Sequence, residues 1–136
     1  MPDIRDIANI PGMTSGKKHI LVIDDDARML KVIKLHLHEK YDVATAISGK
    51  IALKFLETKH TDLILLDYAM PDENGLVVLE KLRANPSTKN IPVIFLTGIT
   101  DRKKIQEALV MKPQGYLLKP INRKRLLAAI QNILEA

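Results

Sequence analysis

Short apolar runs alternate along the chain with segments in which apolar residues recur at helical spacing. The apolar runs predict strands over residues 19–23, 42–46, 62–66, 92–96 and 115–118, and the helical spacing predicts helices over 27–39, 50–58, 76–84, 101–111 and 122–134. Four of the strands are continuously apolar, whereas residues 42–46 alternate as an edge strand does. This alternation predicts right-handed βαβ units, and hence an α/β domain with a doubly wound, five-stranded parallel sheet and five helices. Among the doubly wound strand orders we favour 2-1-3-4-5.

The first residues lack such a pattern. Residues 1–17 contain two prolines and two glycines and no sustained period, so we interpret them as a flexible N-terminal extension of a domain that covers 18–136. The strongly apolar runs are too short for a membrane-spanning helix, which needs about 20 residues. Cysteine is absent, which excludes disulfides and thiolate catalysis and suits the cytoplasm, where we expect the protein to act.

The net charge of +5 comes entirely from the last quarter of the chain. Residues 1–100 hold 13 basic and 13 acidic residues, whereas residues 101–136 hold 8 basic and 3 acidic ones. Such a distribution favours a basic face that docks a partner with an acidic patch. Direct nucleic-acid binding is the alternative, but we do not expect it, because a chain with 4% aromatic residues and no recognition motif offers few platforms on which bases can stack.

Polar side chains follow each central strand at the point where it ends. Asp24 and Asp25 end strand 1, Asp67 ends strand 3, Thr97 ends strand 4 and Lys119 ends strand 5. The carboxyl ends of parallel strands meet at one edge of a sheet, where ligands bind near the topological switch point. Three crowded carboxylates repel one another unless a cation lies among them, and an oxygen-only ligand set suits Mg²⁺. A lysine and a hydroxyl beside such a site suit a phosphoryl group, for which Asp67 is the candidate nucleophile.

Each of these residues also has an ordinary structural interpretation. The aspartates after strand 1 can cap the next helix, and we assign that role to Asp26. Thr97 can belong to a turn, Lys119 can be a solvated charge, and Tyr116 can be a half-buried strand tyrosine. The four histidines are scattered along the chain, so we interpret them as structural or surface residues rather than ligands. Only the convergence of the whole set at one edge favours chemistry.

The set of motifs resembles the receiver domain of two-component response regulators over residues 18–136. The matching residues are Asp24-Asp25, Asp67, Met70-Pro71, Gly75, Thr97 and Lys119-Pro120. The resemblance implies a flavodoxin-like fold and a phosphorylation-dependent switch that is an acceptor of phosphoryl groups rather than an enzyme. It also implies that Asp67 accepts the group from the phosphohistidine of a histidine kinase or phosphotransfer protein. The alternative is a pseudo-receiver, an interaction module that binds partners without phosphorylation.

Roles for individual residues follow from the same resemblance. Asp25, Asp67 and the backbone carbonyl of Ala69 would hold Mg²⁺, with Asp24 acting mainly through a metal-bound water. Thr97 and Lys119 would bind phosphoryl oxygens, and the Lys119–Pro120 bond would be cis. Tyr116 and Thr97 would form the switch, and the signal would leave through helix 4, strand 5 and helix 5, within residues 101–136. That face would contact a downstream protein or, on phosphorylation, a second copy of the chain.

The sequence departs from the resemblance at three places. Side chains two residues after the phosphoacceptor and two after the threonine border the path of the hydrolytic water in receivers, and here they are the apolar Ala69 and Ile99. We therefore expect a long-lived phosphoryl group. Lys112-Pro113 stands where Gly-Ala is common at the end of the fourth helix. Because a residue before proline is pushed towards extended backbone, we expect an altered loop before Gly115.

Overall fold

The computed structural model describes residues 16–71, 73–98 and 102–135. Its strands are β1 (Lys18–Ile23), β2 (Tyr41–Ala46), β3 (Leu63–Asp67), β4 (Val93–Thr97) and β5 (Gly115–Leu118). Its helices are α1 (Ala27–Leu37), α2 (Gly49–Leu56), α3 (Gly75–Ala84), α4 (Arg102–Val110) and α5 (Arg123–Leu134). Strands and helices thus alternate along the described residues as the hydrophobic pattern predicts, with ends that shift by at most two residues.

The five strands form one parallel sheet in the order β2-β1-β3-β4-β5. The predicted order and the edge position of β2 are therefore confirmed. Ile23 lies beside Leu66, and Thr97 lies beside Leu118, so the strands end nearly level with one another. The residues that follow them consequently meet along one border of the sheet, which we call the carboxyl edge; the opposite border is the amino edge.

Helices cover both faces of the sheet, which is why the central strands are apolar on both sides. Alternate residues of β1 illustrate the division: Leu21 and Ile23 join one core cluster, and Ile20 and Val22 join the other. The first cluster includes buried side chains from α2, α3 and α4, and the second includes those from α1 and α5. Burying each large aliphatic side chain contributes roughly 1.5–3 kcal/mol, so these two layers hold the carboxyl edge in place.

Side-chain caps begin four of the helices. The Asp26 carboxylate accepts hydrogen bonds from the backbone N–H groups of Arg28 and Met29 at 2.9 and 3.4 Å, which confirms the capping role assigned to it. The other capping residues are Ser48, Asn74 and Asn122. Each cap satisfies a backbone donor that the first helical turn leaves without a partner.

The predicted extension over residues 1–17 lies almost entirely outside the described residues. Lys17 is described, and its ammonium donates to the backbone carbonyl of His38 at 3.1 Å. The domain boundary at Lys18 stays a prediction, although β1 begins at that residue. Among the described helices, none combines the length and the hydrophobicity that crossing a membrane requires.

The turn between α4 and β5 contradicts the expectation for Lys112. Its φ is 53°, in the left-handed region, although an extended backbone was expected before Pro113. The turn is fixed from both sides: the Lys112 N–H donates to the Leu109 carbonyl at 3.0 Å, and the Gln114 N–H donates to the Val93 carbonyl at 2.8 Å. A reversal this short requires a left-handed residue after the helix, and that requirement outweighs the influence of the proline.

Candidate functional site

Three carboxylates meet at the carboxyl edge. Asp24 and Asp25 follow β1, and Asp67 ends β3, the strand next to it. One oxygen from each carboxylate lies within 4.8 Å of one from each of the others. Asp24 and Asp67 are buried, with 1% and 4% of their surface exposed, whereas Asp25 is open to solvent. The predicted convergence of the three residues is therefore present.

Lys119 reaches the carboxylates from the end of β5. Its ammonium nitrogen lies 2.9 Å from Oδ2 of Asp24 and 3.5 Å from Oδ1 of Asp67. The backbone N–H of Lys119 donates to the Thr97 carbonyl at 2.8 Å, and the Lys119–Pro120 bond is cis, as expected. One cation thus bridges two buried anions.

Both oxygens of Asp24 have partners within the protein. Oδ2 binds Lys119, and Oδ1 accepts the backbone N–H of Asp26 at 2.9 Å. Sequence reasoning placed Asp24 and Lys119 at the same edge but missed their direct pairing. The two residues are 95 positions apart, and side-chain reach across the sheet decides which carboxylate the lysine meets.

Burial and the neighbouring carboxylates oppose ionisation of Asp67. Burial and the nearby charge of Asp24 raise the pKa of Asp67 from 3.8 to about 6, and the attraction of Lys119 only partly opposes them. Burial acts to lower the pKa of Lys119, but its hydrogen bond to Asp24 and the charges of Asp67 and Asp24 outweigh burial and raise it. The site therefore keeps a protonated lysine and retains an unmet demand for positive charge.

A divalent cation fits this demand. Three carboxylates and one ammonium leave an excess of negative charge, and hard oxygen ligands of this kind prefer Mg²⁺ to softer metals. An aspartate triad of this kind is typical of the Mg²⁺ site of receiver domains. Ala69, the proposed carbonyl ligand, is exposed two residues beyond Asp67.

Aromatic residues link the site to the far edge of the sheet. Tyr116 on β5 lies beside Phe95 on β4, and Tyr68 packs edge to face on Phe95 with ring centroids 5.8 Å apart. Burial and the neighbouring Tyr68 raise the pKa of the half-buried Tyr116. Thr97 ends β4 and is fully buried. Sequence analysis missed Tyr68, whose position directly after Asp67 is the only signal that could have singled it out.

The segment after Asp67 is held close to the end of β3. The Gly75 N–H donates to the Tyr68 carbonyl at 2.6 Å. A Cβ atom at Gly75 would lie 2.5 Å from the Asp67 carbonyl oxygen, so this approach requires glycine. Ile99, the second apolar residue expected to border the water path, lies outside the described residues.

Two of the histidines lie at the amino edge, away from this site. His60 binds Asp62 at 2.9 Å, and His19 lies 3.9 Å from Asp42. These contacts agree with the interpretation of the histidines as structural or surface residues.

Comparison with known proteins extends the match beyond the site. A sequence profile described as "Response regulator receiver domain" matches residues 20–131. The chain is 36% identical over 103 residues to a probable cyclic di-GMP phosphodiesterase of Vibrio cholerae, covering 76% of the chain and 23% of that protein. It is 34% identical over 115 residues to the response regulator PleD of Caulobacter vibrioides, covering 84% and 25%. The chain spans about a quarter of the length of these two relatives.

Solved structures show the same arrangement of the chain. The chemotaxis protein CheY4 of Vibrio cholerae superposes with a TM-score of 0.82 at 29% identity, covering 88% of this chain and all of that one. A CheY-like receiver domain protein from Methanospirillum hungatei superposes with a TM-score of 0.81 at 30% identity, covering 88% and 95%. The similarity therefore covers the sheet, its helices and the carboxyl edge together.

Proposed function

Because the chain belongs to the response regulator receiver family of two-component signalling, whose members are phosphoacceptors rather than classical enzymes, we propose that it is a switch operated by phosphorylation of Asp67. The phosphoryl group comes from the phosphohistidine of a histidine kinase or of a phosphotransfer protein, and the transfer depends on Mg²⁺. The observation that carries the proposal is the bridge from Lys119 to Asp24 and Asp67, at 2.9 and 3.5 Å, beside a third carboxylate.

The metal ligands in this proposal are Asp25, Asp67 and the backbone carbonyl of Ala69. Asp24 acts mainly through a metal-bound water, and its two internal partners support that indirect role. When bound, Mg²⁺ neutralises charge on the oxygens of the transferring phosphoryl group. Lys119 would supply a second positive charge beside Asp67, 3.5 Å from its Oδ1.

The transfer itself exchanges one bond to phosphorus for another. A carboxylate oxygen of Asp67 forms a bond to phosphorus while the phosphorus–nitrogen bond of the donor breaks. The imidazole nitrogen leaves with the electron pair and takes up a proton from water, and Asp67 becomes an acyl phosphate. Lys119 and the Thr97 hydroxyl bind the phosphoryl oxygens, and this places the main demand for accurate positioning on β4 and β5.

Intact-protein mass spectrometry with phosphoramidate as the donor tests this assignment. The wild-type chain should gain one phosphoryl group in the presence of Mg²⁺ and none in EDTA. Asp67→Asn should abolish the gain, and Asp62→Asn, at the other end of β3, should preserve it. If Asp67→Asn is still modified stoichiometrically, the acceptor is another residue. If the wild-type chain is not modified, the chain is an interaction module and the phosphorylation proposal fails.

The signal leaves through α4, β5 and α5 in this proposal. Movement of Thr97 and inward rotation of Tyr116 connect Asp67 to that face. Its described surface combines exposed apolar side chains with exposed cations, and these residues are Leu109, Val110, Leu118, Arg123, Lys124 and Arg125. Exposed apolar side chains together with basic ones suit a downstream protein that carries an acidic patch, or a second phosphorylated copy of the chain.

Charge reversal tests the output face. Changing Arg123, Lys124 and Arg125 together to glutamate should weaken phosphorylation-dependent self-association or binding of the downstream target, most strongly at low salt. Sedimentation velocity of the phosphorylated protein at two salt concentrations measures the first of these. The matched control reverses Lys50 and Lys54 on α2. Unchanged association after the triple reversal would place the interface elsewhere.

We also propose a cytoplasmic location. The absence of cysteine supports it, because disulfides are rare in a reducing compartment. Histidine kinases also present their phosphohistidine in the cytoplasm.

A further inference from the structure

The segment between Asp67 and α3 is fastened at both of its ends. Near Asp67 the Gly75 N–H holds the Tyr68 carbonyl at 2.6 Å. At the other end Glu73 accepts a hydrogen bond from the ammonium of Lys81 at 2.6 Å. This ion pair crosses from the segment to α3, so it fixes the segment relative to the helix that follows it.

Glu73 also contacts the first residue of α2. A Cβ atom at Gly49 would overlap Oε1 of Glu73 and would lie 2.5 Å from a methyl group of Val78. Gly49 is buried and directly follows Ser48, the capping residue of α2. One carboxylate therefore contacts α2 through Oε1 and α3 through Oε2, and its side chain is only 23% exposed.

The same carboxylate lies beside the proposed metal site. Glu73 and Asp25 line one cavity of about 340 Å³, together with Met70 and Pro71 of the segment. Ala69, whose carbonyl is a proposed metal ligand, lies in the same segment, next to the buried Met70. Because Lys81 lies 2.6 Å from Glu73, it offsets most of the carboxylate's electrostatic effect on the cavity.

We infer that Glu73 is a positioning residue for the metal site: by joining Lys81 to the start of α2, it holds the segment that carries Ala69 in the geometry that Mg²⁺ requires. This inference rests on the proposed function. Mg²⁺ demands near-ideal octahedral geometry, so its affinity is sensitive to small displacements of a ligand. Outer contacts that orient metal ligands typically contribute 10- to 100-fold to metal affinity.

Titration of the full chain with Mg²⁺ by isothermal calorimetry tests the inference. Glu73→Gln keeps the size of the side chain and removes its charge, and Lys81→Met removes the partner. Each should weaken Mg²⁺ binding about tenfold. The double variant should bind as weakly as either single variant, because both changes break the same connection. The control is Lys54→Met. Lys54 lies in the same groove between α2 and α3, and this variant should bind Mg²⁺ like the wild-type chain.

Two further variants separate the explanations. Gly49→Ala displaces Glu73 by overlap and should weaken Mg²⁺ binding although Glu73 and Lys81 are both present. Asp25→Asn removes a proposed ligand and should weaken binding more than any of these changes. Circular dichroism in EDTA confirms that each variant is folded before its affinity is compared.

Each outcome has a distinct meaning. If Glu73→Gln and Lys81→Met leave the affinity unchanged while Asp25→Asn lowers it, the inference fails and the proposed function stands. If Lys81→Met strengthens Mg²⁺ binding, Glu73 acts by its charge and the inference also fails. If the wild-type chain does not bind Mg²⁺, both the inference and the metal dependence of the proposed function are wrong.

Discussion

Two aspartates at opposite ends of one strand have opposite electrostatic surroundings. Asp62 precedes β3 at the amino edge, and Asp67 ends it at the carboxyl edge. Burial acts to raise the pKa of Asp62, but hydrogen bonds from the His19 N–H at 2.7 Å and from His60 outweigh burial and lower it. Burial and the charge of Asp24 raise the pKa of Asp67 to about 6. The surroundings thus stabilise the ionised form of aspartate at one end of the strand and destabilise it at the other.

This difference distinguishes the amino edge, whose polar groups support the fold, from the carboxyl edge, whose polar groups are available for chemistry. At the amino edge, donors surround the polar groups: Thr61 donates to the His19 carbonyl, and Arg83 donates to the carbonyls of Lys89 and Ile91. At the carboxyl edge, charges of one sign exceed those of the other. In the proposed function this edge binds a cation and a phosphoryl group, and such a site keeps unmet interactions in the free protein.

Removing the charge of Asp67 should have the largest effect on stability. In EDTA at pH 7.5, Asp67→Asn should raise the free energy of unfolding, by as much as about 3 kcal/mol, because the difference between a pKa of 3.8 and one of about 6 corresponds to that amount. Lys119 stays paired with Asp24 in the variant. Urea denaturation followed by circular dichroism measures the change. A variant no more stable than the wild-type chain would contradict the crowding of charge at this edge.

The wild-type chain and Asp67→Asn also test how the free energy of unfolding depends on pH. Because the folded-state pKa of Asp67 lies above its ordinary value, the folded state binds a proton more readily than the unfolded state between about pH 4 and pH 6. The penalty from ionised Asp67 is therefore complete above pH 6 and disappears as the pH falls towards 4. The difference in unfolding free energy between Asp67→Asn and the wild-type chain should shrink over that window, and Mg²⁺ should shrink it at pH 7.5.

The corresponding change at the amino edge should have the opposite sign. Asp62→Ala removes the acceptor of the His19 N–H and the partner of His60, and should lower the free energy of unfolding by about 2 kcal/mol. Asp62→Asn keeps an acceptor and should lose less. Since the pKa of Asp62 is lowered, its contribution is present above about pH 4 and is lost as the pH falls through the folded-state pKa. An Asp62→Ala variant with wild-type stability at pH 7 would remove the contrast between the two edges.

A substitution at Ala69 should affect the lifetime of the phosphoryl group rather than stability. Ala69 is exposed beside Asp67 and cannot hydrogen-bond a water molecule. Ala69→Asn supplies an orienting group and should speed loss of phosphate about fivefold, which corresponds to about 1 kcal/mol in activation free energy. Phosphate release from the purified phosphorylated protein measures the rate. Ala84→Asn, exposed at the amino edge, is the control, and equal rates for both variants would show that Ala69 does not set the lifetime.

The smallest expected effect is at Lys112. Among the described residues it is the strained one at the amino edge. Lys112 has a φ of 53°, which costs a residue with a side chain about 1–2 kcal/mol. Lys112→Gly removes this strain but adds entropy to the unfolded chain, so a net gain of about 0.5 kcal/mol is expected. Thermal unfolding measures it. Lys104→Gly, within α4, should instead destabilise the protein, and a loss of stability in Lys112→Gly would show that the turn is not strained.

Much of the architecture follows from local pattern. Short apolar runs identify the strands and period-3.6 spacing identifies the helices, and the short connections leave few ways to order a parallel sheet. The places of Asp67, Thr97 and Lys119 follow directly, because each ends a strand. Asp26 is recognisable as a cap because it immediately precedes a helical pattern.

What escaped prediction depends on distances between elements. The Asp24–Lys119 pair, the packing of Tyr68 on Phe95 and the contact of Glu73 with Gly49 join residues from different strands and helices. The local rule for a residue before proline failed at Lys112, because bonds from α4 and β4 fix both ends of that turn. Sequence indicates which side chains share an edge, and packing decides which of them touch.

Gly75 couples the end of β3 closely to the start of α3. Its backbone lies so close to Asp67 and Tyr68 that no side-chain carbon fits between them, and its N–H donates to the Tyr68 carbonyl. The same approach reaches β4, because a Cβ atom at Gly75 would also lie 3.0 Å from Cε1 of the fully buried Phe95. A displacement of the end of β3 would therefore press on the start of α3 and on the Phe95 ring of β4 together.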